Sequence, residues 1–484
     1  MIKADSGGNN DGIKCTGFKF LQKIDEAYID TLLNKEITRN QKKIVVLDDD
    51  PTGVQTVHDI SVYTNWEKDT IRQGFEESNN LFYILTNSRG FTTEQTTEAH
   101  NAIAEVVDEV AKETGREYIF ISRSDSTLRG HYPLETELLK ANYEKNTGKT
   151  IDGEILCPFF KEGGRFTIDD VHYVKYGEEL IPANETEFAK DKTFGYTAAT
   201  MPEYVEEKTK GAYKASDVTC ISLEEIHDMD IDGIQKKLME VRDFNKIIVN
   251  AVDYADVKVF CVALYRAMAA GKVFMFRTAA AIVKVMGGVT DQPLLTREKM
   301  IVNETENGGI IVVGSHTDKT TRQVEELKKL TDVEFIELDA TLVKDDAAFE
   351  AEVQRCLDRE EACIRAGKTV CCYTTRALIT ADTGDKEDEL RLSVKISDAV
   401  QSLVGRLKIT PGFVIAKGGI TSSDVGTKAL AVKKANVLGQ IKPGIPVWQT
   451  GEESRFPLTP YVIFPGNVGE DTTLREAVEV LIQK

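Results

Sequence analysis

The sequence has no long apolar run. Its longest, Val259 to Tyr265, covers seven residues, against the roughly twenty that a membrane-spanning helix needs. Residues 1–12 are polar and rich in turn formers, with no apolar core of an export signal, so a floppy leader and a cytoplasmic location are expected. A basic excess is missing too: Asp and Glu number 79 against 60 Lys and Arg, for a formal net charge of -19. Nucleic acid and anionic membranes both require a basic footprint, which removes them as expected partners. A small anion remains compatible, because a few local Arg, Lys and backbone N–H groups suffice to hold one.

Metal and redox frameworks are also lacking. The eight cysteines form no Cys-x-x-Cys pair, and Cys371 and Cys372 lie inside an apolar run, so reduced, mostly buried thiols are predicted. The six histidines are dispersed, and no zinc site or metal-ligating residue is predicted. Three nucleotide signatures are absent. Gly148-Lys149-Thr150 and Gly367-Lys368-Thr369 have Tyr143 and Ala362 where a P-loop places its first glycine; no Gly-x-Gly-x-x-Gly opens a helix; and no His-Arg-Asp loop occurs.

What is present is a chain of 484 residues, too long for one core, with an ordinary globular balance of 41% hydrophobic and 29% charged residues. Short Val- and Ile-rich runs at 43–47, 81–85, 118–122, 246–250, 273–276, 309–313, 369–373, 413–416 and 461–464 have the pattern of strands buried on both faces. Helical periodicity lies between them: Ala99, Ile103, Val106 and Val110 share one face, as do Leu392, Ile396, Ala399 and Leu403. This alternation predicts an α/β fold of two domains with mainly parallel sheets. A polar, turn-rich stretch at 287–309 marks the boundary. The expected division is a leader and accessory helix over 1–42 (Phe20, Leu21, Ile24, Tyr28 and Leu32 on one face), a domain over 43–290, a linker over 291–308 and a domain over 309–484.

Polar clusters sit where strands end, which is where α/β sheets bind ligands. The first run enters Asp48-Asp49-Asp50-Pro51-Thr52-Gly53. Three adjacent carboxylates repel one another unless cations or hydroxyl donors meet them; a solvated acidic turn is the plain alternative. The second ends in Thr86-Asn87-Ser88-Arg89-Gly90 and the third in Ser122-Arg123-Ser124-Asp125-Ser126-Thr127-Leu128-Arg129-Gly130-His131. Guanidinium forks match a carboxylate or phosphate, and Asp125 is placed to accept or orient a hydroxyl proton. Gly163-Gly164-Arg165 adds a further cation. In the second half, Gly314-Ser315-His316, Gly418-Gly419-Ile420-Thr421-Ser422 and Pro465-Gly466-Asn467 follow strands. Glycines there allow close approach to a phosphate, and helix-start N–H groups attract anions.

These motifs, in this order, resemble the four-carbon acid sugar kinase family, over nearly the whole chain from Lys43 to Leu481. Asp49-Asp50-Pro51-Thr52-Gly53 is similar to its Asp-Asp-x-Thr-Gly signature, Asp125 to Gly130 to its Asp-Ser-Thr-Leu-Arg-Gly, Gly164-Arg165-x-Thr167 to its Gly-Arg-Thr, and Gly418 to Ser422 to its ATP-binding Gly-Gly-x-Thr-Ser. The resemblance implies a sugar-acid-binding N-terminal domain, an ATP-binding C-terminal domain and an active site in the inter-domain cleft. It also implies transfer of phosphate to the terminal hydroxyl of a tetronate. By this resemblance Asp49, Asp50, Arg89, Asp125, Ser126, Arg129 and Arg165 line the acid-sugar site, with Asp125 and then Asp50 as the catalytic carboxylates. Ser315, Gly418, Gly419, Ile420, Thr421 and Gly466 hold ATP, which is expected to carry Mg2+; a homodimer is compatible with the family. Asp48 and the continuation Val54 to Asp59 depart from its pattern. Two rival readings are a haloacid-dehalogenase-like phosphatase, with Asp48 as nucleophile in Asp48-x-Asp50-x-Thr52, and a sugar-acid sensor without catalysis.

Overall fold

The computed structural model describes residues 13–14, 23–376, 379 and 386–483; the expected leader over 1–12 and the residues Phe20 and Leu21 lie outside them. The chain divides into two compact units, Met1–Gly53 with Asn65–Thr290, and Val54–Thr64 with Asp291–Lys484. Both are α/β, and every strand expected from the sequence is present to within a residue or two.

In the first unit seven strands form a parallel sheet in the order Thr219–Ile221, Asn245–Val249, Gly153–Cys157, Phe274–Thr278, Tyr118–Arg123, Lys43–Asp48 and Leu81–Leu85. Lys43–Asp48, Leu81–Leu85 and Tyr118–Arg123 are buried at every residue, which is why they read as continuous apolar runs instead of alternating ones. Lys43–Asp48 has one later strand on each side. The chain therefore reverses its direction of travel across the sheet here, and the carboxyl end of this strand is a topological switch point. The helix Thr93–Thr114 is started by a reciprocal capping box between Thr92 and Gln95 and stopped by Gly115 in the left-handed region. A separate antiparallel sheet, Ile13–Lys14, Glu179–Pro182, Val171–Tyr176 and Arg165–Ile168, carries Arg165 at its edge.

The accessory helix spans Glu26–Arg39, but its buried face is Ile29, Leu33, Glu36 and Ile37. Of the expected face, Ile24 is buried just ahead of the helix, Leu32 is half-buried and Tyr28 is 55% exposed. Two faces of one short helix carry apolar residues, and packing chooses between them.

In the second unit the parallel strands Pro460–Phe464, Val414–Lys417, Ile310–Val313, Thr369–Thr374 and Val333–Leu338 are extended by antiparallel Ile445–Thr450, Lys434–Lys442 and Ile60–Tyr63. The last of these belongs to an excursion of the N-terminal sequence that the linear division into 43–290 and 309–484 does not contain. Gln55 Nε2 donates to Gly444 O at 2.9 Å, and Asp59 N to Val437 O at 2.7 Å, fixing it there. The stretch expected as a linker carries the short helix Arg297–Met300, and Leu295, Met300 and Ile301 are buried in the core of this unit. Ile310–Val313 lies between Val414–Lys417 and Thr369–Thr374, so the second unit has a switch point of its own at the ends of Ile310–Val313 and Val414–Lys417.

Candidate functional site

In the first unit the switch point gathers the acidic and basic residues of three successive strand ends. Arg89 donates to both oxygens of Asp49, from Nε at 3.1 Å and Nη2 at 2.6 Å, and from Nη1 to Asp50 at 3.2 Å. Its Nη1 also lies 3.9 Å from Asp125. Arg123 pairs with Asp48 at 3.1 Å and approaches Asp49 at 3.8 Å. Asp125 accepts from Arg129 Nε at 2.8 Å and from the Thr127 hydroxyl. The three-acid turn is thus neutralised by guanidinium groups, and is not a solvated cap.

These acids are electrostatically distinct. Burial pushes the Asp48 carboxyl up to about 7, against the opposing pull of Arg123. Burial raises Asp49 as well, despite Arg89. For Asp50, burial is outweighed by Arg89 and by the hydrogen bonds from Thr52, so its carboxyl is lowered. Asp125 feels the same burial, yet Arg129, Arg89 and Thr127 together hold it well below the usual carboxylate range. At neutral pH, Asp50 and Asp125 are carboxylates. Asp48 is 1% exposed, and a Cβ on Gly53 would fall 1.9 Å from its Oδ2. The phosphatase reading needed Asp48 as an accessible nucleophile; the turn closes over it instead.

The cations differ in how fully they are used. Arg129 and Arg165 both lie over one ring, 5.0 and 5.3 Å from the centroid of Phe188. Arg165 donates through Nη1 to Gly163 O, while its Nε is buried without an acceptor, and burial lowers its pKa. An orphaned guanidinium N–H beside a second Arg is the donor set that a carboxylate of a small acid would satisfy. Ser126, on the same loop, is anchored through its carbonyl, which accepts from His172 at 2.7 Å. Burial drives that histidine down to about 4, so it is neutral there.

Residues that the sequence reading did not select support this cluster. Arg277, at the end of Phe274–Thr278, donates to Glu135 at 2.6 Å and to Arg129 O at 3.1 Å. Glu135 also accepts from Ser88 at 2.6 Å. Arg277 closing an apolar run was a readable signal. Phe188 and Asp191, 3.9 Å from Arg129, were not readable, because they come from an irregular stretch.

In the second unit the residues expected to hold nucleotide converge on its switch point. Ser315 follows Ile310–Val313 and accepts from the Thr320 hydroxyl at 3.1 Å. Gly418 ends Val414–Lys417 with φ 119, and a Cβ there would stand 3.1 Å from Ser315 Cβ; only glycine takes that conformation at low cost. Gly419, Ile420 and Thr421 open the helix Gly419–Asp424, with Ile420 75% exposed. A Cβ on Gly466 would lie 3.9 Å from Ser315 Oγ. Two further residues appear here. Arg376 donates to Ser315 O and leaves Nε and Nη1 buried without partners. Lys417 donates to Pro465 O at 2.6 Å and Gly466 O at 3.0 Å. Small residues, hydroxyls and underused cations suit the phosphates of a nucleotide.

One α/β unit thus has a guanidinium-rich sheet end and the other a glycine- and hydroxyl-lined one. Residues 44–286 match the sugar-binding N-terminal domain profile and residues 310–474 the nucleotide-binding C-terminal domain profile. The chain belongs to the four-carbon acid sugar kinase family. No curated protein matches it. Among solved structures it is similar to a Haemophilus influenzae protein of a domain-of-unknown-function family, at 17% identity and TM-score 0.58, covering 90% of this chain and 100% of that one. It is also similar to a Salmonella typhimurium LT2 protein provisionally described as a tRNA synthase, at 14% identity and TM-score 0.64, covering 90% and 98%. At these identities the likeness concerns the fold. Among the described residues, no helix is long and apolar enough to cross a membrane.

Proposed function

We propose that the protein is an ATP-dependent kinase that phosphorylates the terminal hydroxyl of a four-carbon acid sugar: a threonate, an erythronate, a 3-oxo derivative or a branched analogue. The observation that carries this reading is the pair Arg129 and Arg165 on Phe188, with one buried guanidinium N–H lacking an acceptor, beside carboxylates that stay ionised. The two arginines, with Ser126, take the acid's carboxylate. That orients the distal hydroxyl toward Asp125 and Asp50.

Asp125 acts as an acceptor that aligns this hydroxyl, and its depressed pKa suits that task better than storing a proton. Phosphoryl transfer passes through a loose transition state in which positioning and charge neutralisation dominate. Arg89 and Asp49 brace Asp50 and Asp125. Ser315, Gly418, Gly419, Ile420, Thr421 and Gly466 receive ATP, and Mg2+ on its phosphates would neutralise their charge.

The test is a coupled ADP-release screen over threonates, erythronates, 3-oxo-tetronates and branched analogues. The expected result is acceptor-dependent ADP formation with a subset of them. ADP release that never exceeds the rate with ATP alone, together with hydrolysis of a phosphate monoester, would overturn the reading.

A further inference from the structure

Lys417 is the last residue of Val414–Lys417, and it is fully buried at 0% exposure. Its ammonium has two backbone carbonyls as acceptors, Pro465 O and Gly466 O, and it lies 4.5 Å from the centroid of Phe464. Among the described residues no carboxylate pairs with it. The charged group that bears on it is another cation, Lys319 on the helix Asp318–Leu327, whose own Nζ donates to Gly469 O at 3.0 Å. A buried ammonium without a counter-ion is costly and tends to lose its proton. Carbonyl dipoles and a ring face offset only part of that cost.

The position matters because the two acceptors belong to the turn that presents Gly466, and Gly418 is the next residue. An anion placed along this edge would be the missing counter-charge. We propose that Lys417 is a positioning residue of the nucleotide site, which takes up a proton as the polyphosphate arrives and in its charged form clamps the turn carrying Gly466 against Gly418. This rests on the nucleotide-binding reading of the second unit and deepens it. Burial first, and Lys319 second, bring the Lys417 ammonium down to about 7, so the empty site is mostly neutral above that pH. A neighbouring anion favours the charged form and raises it. Besides Lys319, His316 is a titratable side chain beside Ser315, and burial and Arg376 lower its pKa; its proton exchange is therefore confined to acidic pH.

The experiment is calorimetric titration of the full chain with Mg-ADP, in HEPES and in Tris, whose ionisation enthalpies differ. At about pH 8 the buffer dependence should report uptake of close to one proton per nucleotide, shrinking toward zero at about pH 5.5, where Lys417 is already charged. Lys417→Arg, which cannot lose its charge, should bind nucleotide with the uptake abolished. Lys417→Met should also lose the uptake and raise KM for ATP more than it lowers kcat. Nucleotide heat that is identical in both buffers at about pH 8, or undiminished uptake in Lys417→Arg, would overturn the assignment to Lys417 alone. No nucleotide heat at all would remove the nucleotide-binding reading with it. The wild-type and Arg measurements decide the matter even where the Met variant does not fold.

Discussion

Arg89 grips Asp49 side-on, with Nε 3.1 Å from one carboxylate oxygen and Nη2 2.6 Å from the other, and spends its remaining nitrogen on Asp50 at 3.2 Å. A guanidinium engaged in this way has little left for a ligand. The arginine after Leu81–Leu85 therefore holds the acidic turn, and in the proposed function capture of an organic acid falls to Arg129 and Arg165. The resemblance to the kinase family groups all three as lining residues; among them Arg89 is the one with all three nitrogens engaged by Asp49 and Asp50.

Arg165→Lys should weaken binding of the acid while leaving the nucleotide alone. A lysine keeps the charge but loses the planar fork and the stacking on Phe188. A charge-assisted hydrogen bond is worth about 1.5–3 kcal/mol, so KM for the acid should rise about 10- to 100-fold with kcat little changed. Steady-state kinetics with each substrate varied in turn would check this; an unchanged KM for the acid would remove Arg165 from the site.

Asp125→Asn should lower kcat by at least about a hundredfold while KM for ATP stays nearly constant. Because Arg129 and Arg89 hold the carboxyl well below its usual range, the acid limb of the wild-type kcat profile should not report this group above about pH 4. Turnover within about threefold of wild type would assign the alignment of the hydroxyl to another residue, with Asp50 next in line.

Because burial outweighs its pairing with Arg123, Asp48 makes stability depend on pH in the direction opposite to a carboxylate whose pKa is lowered on folding. Its folded pKa, about 7, lies above the unfolded value. Between the two the folded chain therefore holds a proton that the unfolded chain has lost. The favourable contribution is complete below about pH 4 and disappears as pH rises through about 7. Asp48→Asn removes this dependence. Compared with that variant, the wild type should lose on the order of 4 kcal/mol over the interval, measurable by urea unfolding at a series of pH values. Parallel curves for the two proteins would show that the carboxyl does not titrate there.

Gly418→Ala should damage the nucleotide edge specifically. The new methyl would meet Ser315 Cβ at 3.1 Å and force a left-handed φ of 119 on alanine, a conformation costing roughly 1–2 kcal/mol. KM for ATP should increase about tenfold or more, with binding of the acid, measured without nucleotide, unaffected. Equal loss of both affinities would indicate global damage.

The alternation of buried apolar runs with helical periodicity carried the fold class, because a strand covered on both faces cannot hide its composition. Asp49, Asp50, Asp125, Arg129, Gly418 and Thr421 were legible for a related reason: their residue types sit where strands end, and strand ends in such sheets face ligands. The rest needed three dimensions. Strand order is set by long-range pairing, so the sequence could not say that Lys43–Asp48 has later strands on both sides, or that Ser315 and Gly418 meet at a reversal. It could not place Ile60–Tyr63 in the sheet of the second unit, since a short strand of three apolar residues and a serine pairs equally well with any open edge. Nor could it divide the acids and arginines into roles. Asp48, Asp49 and Asp50 are chemically identical in the sequence, and only burial, the position of each guanidinium and the hydrogen bonds from Thr52 raise the pKa of one and lower that of another.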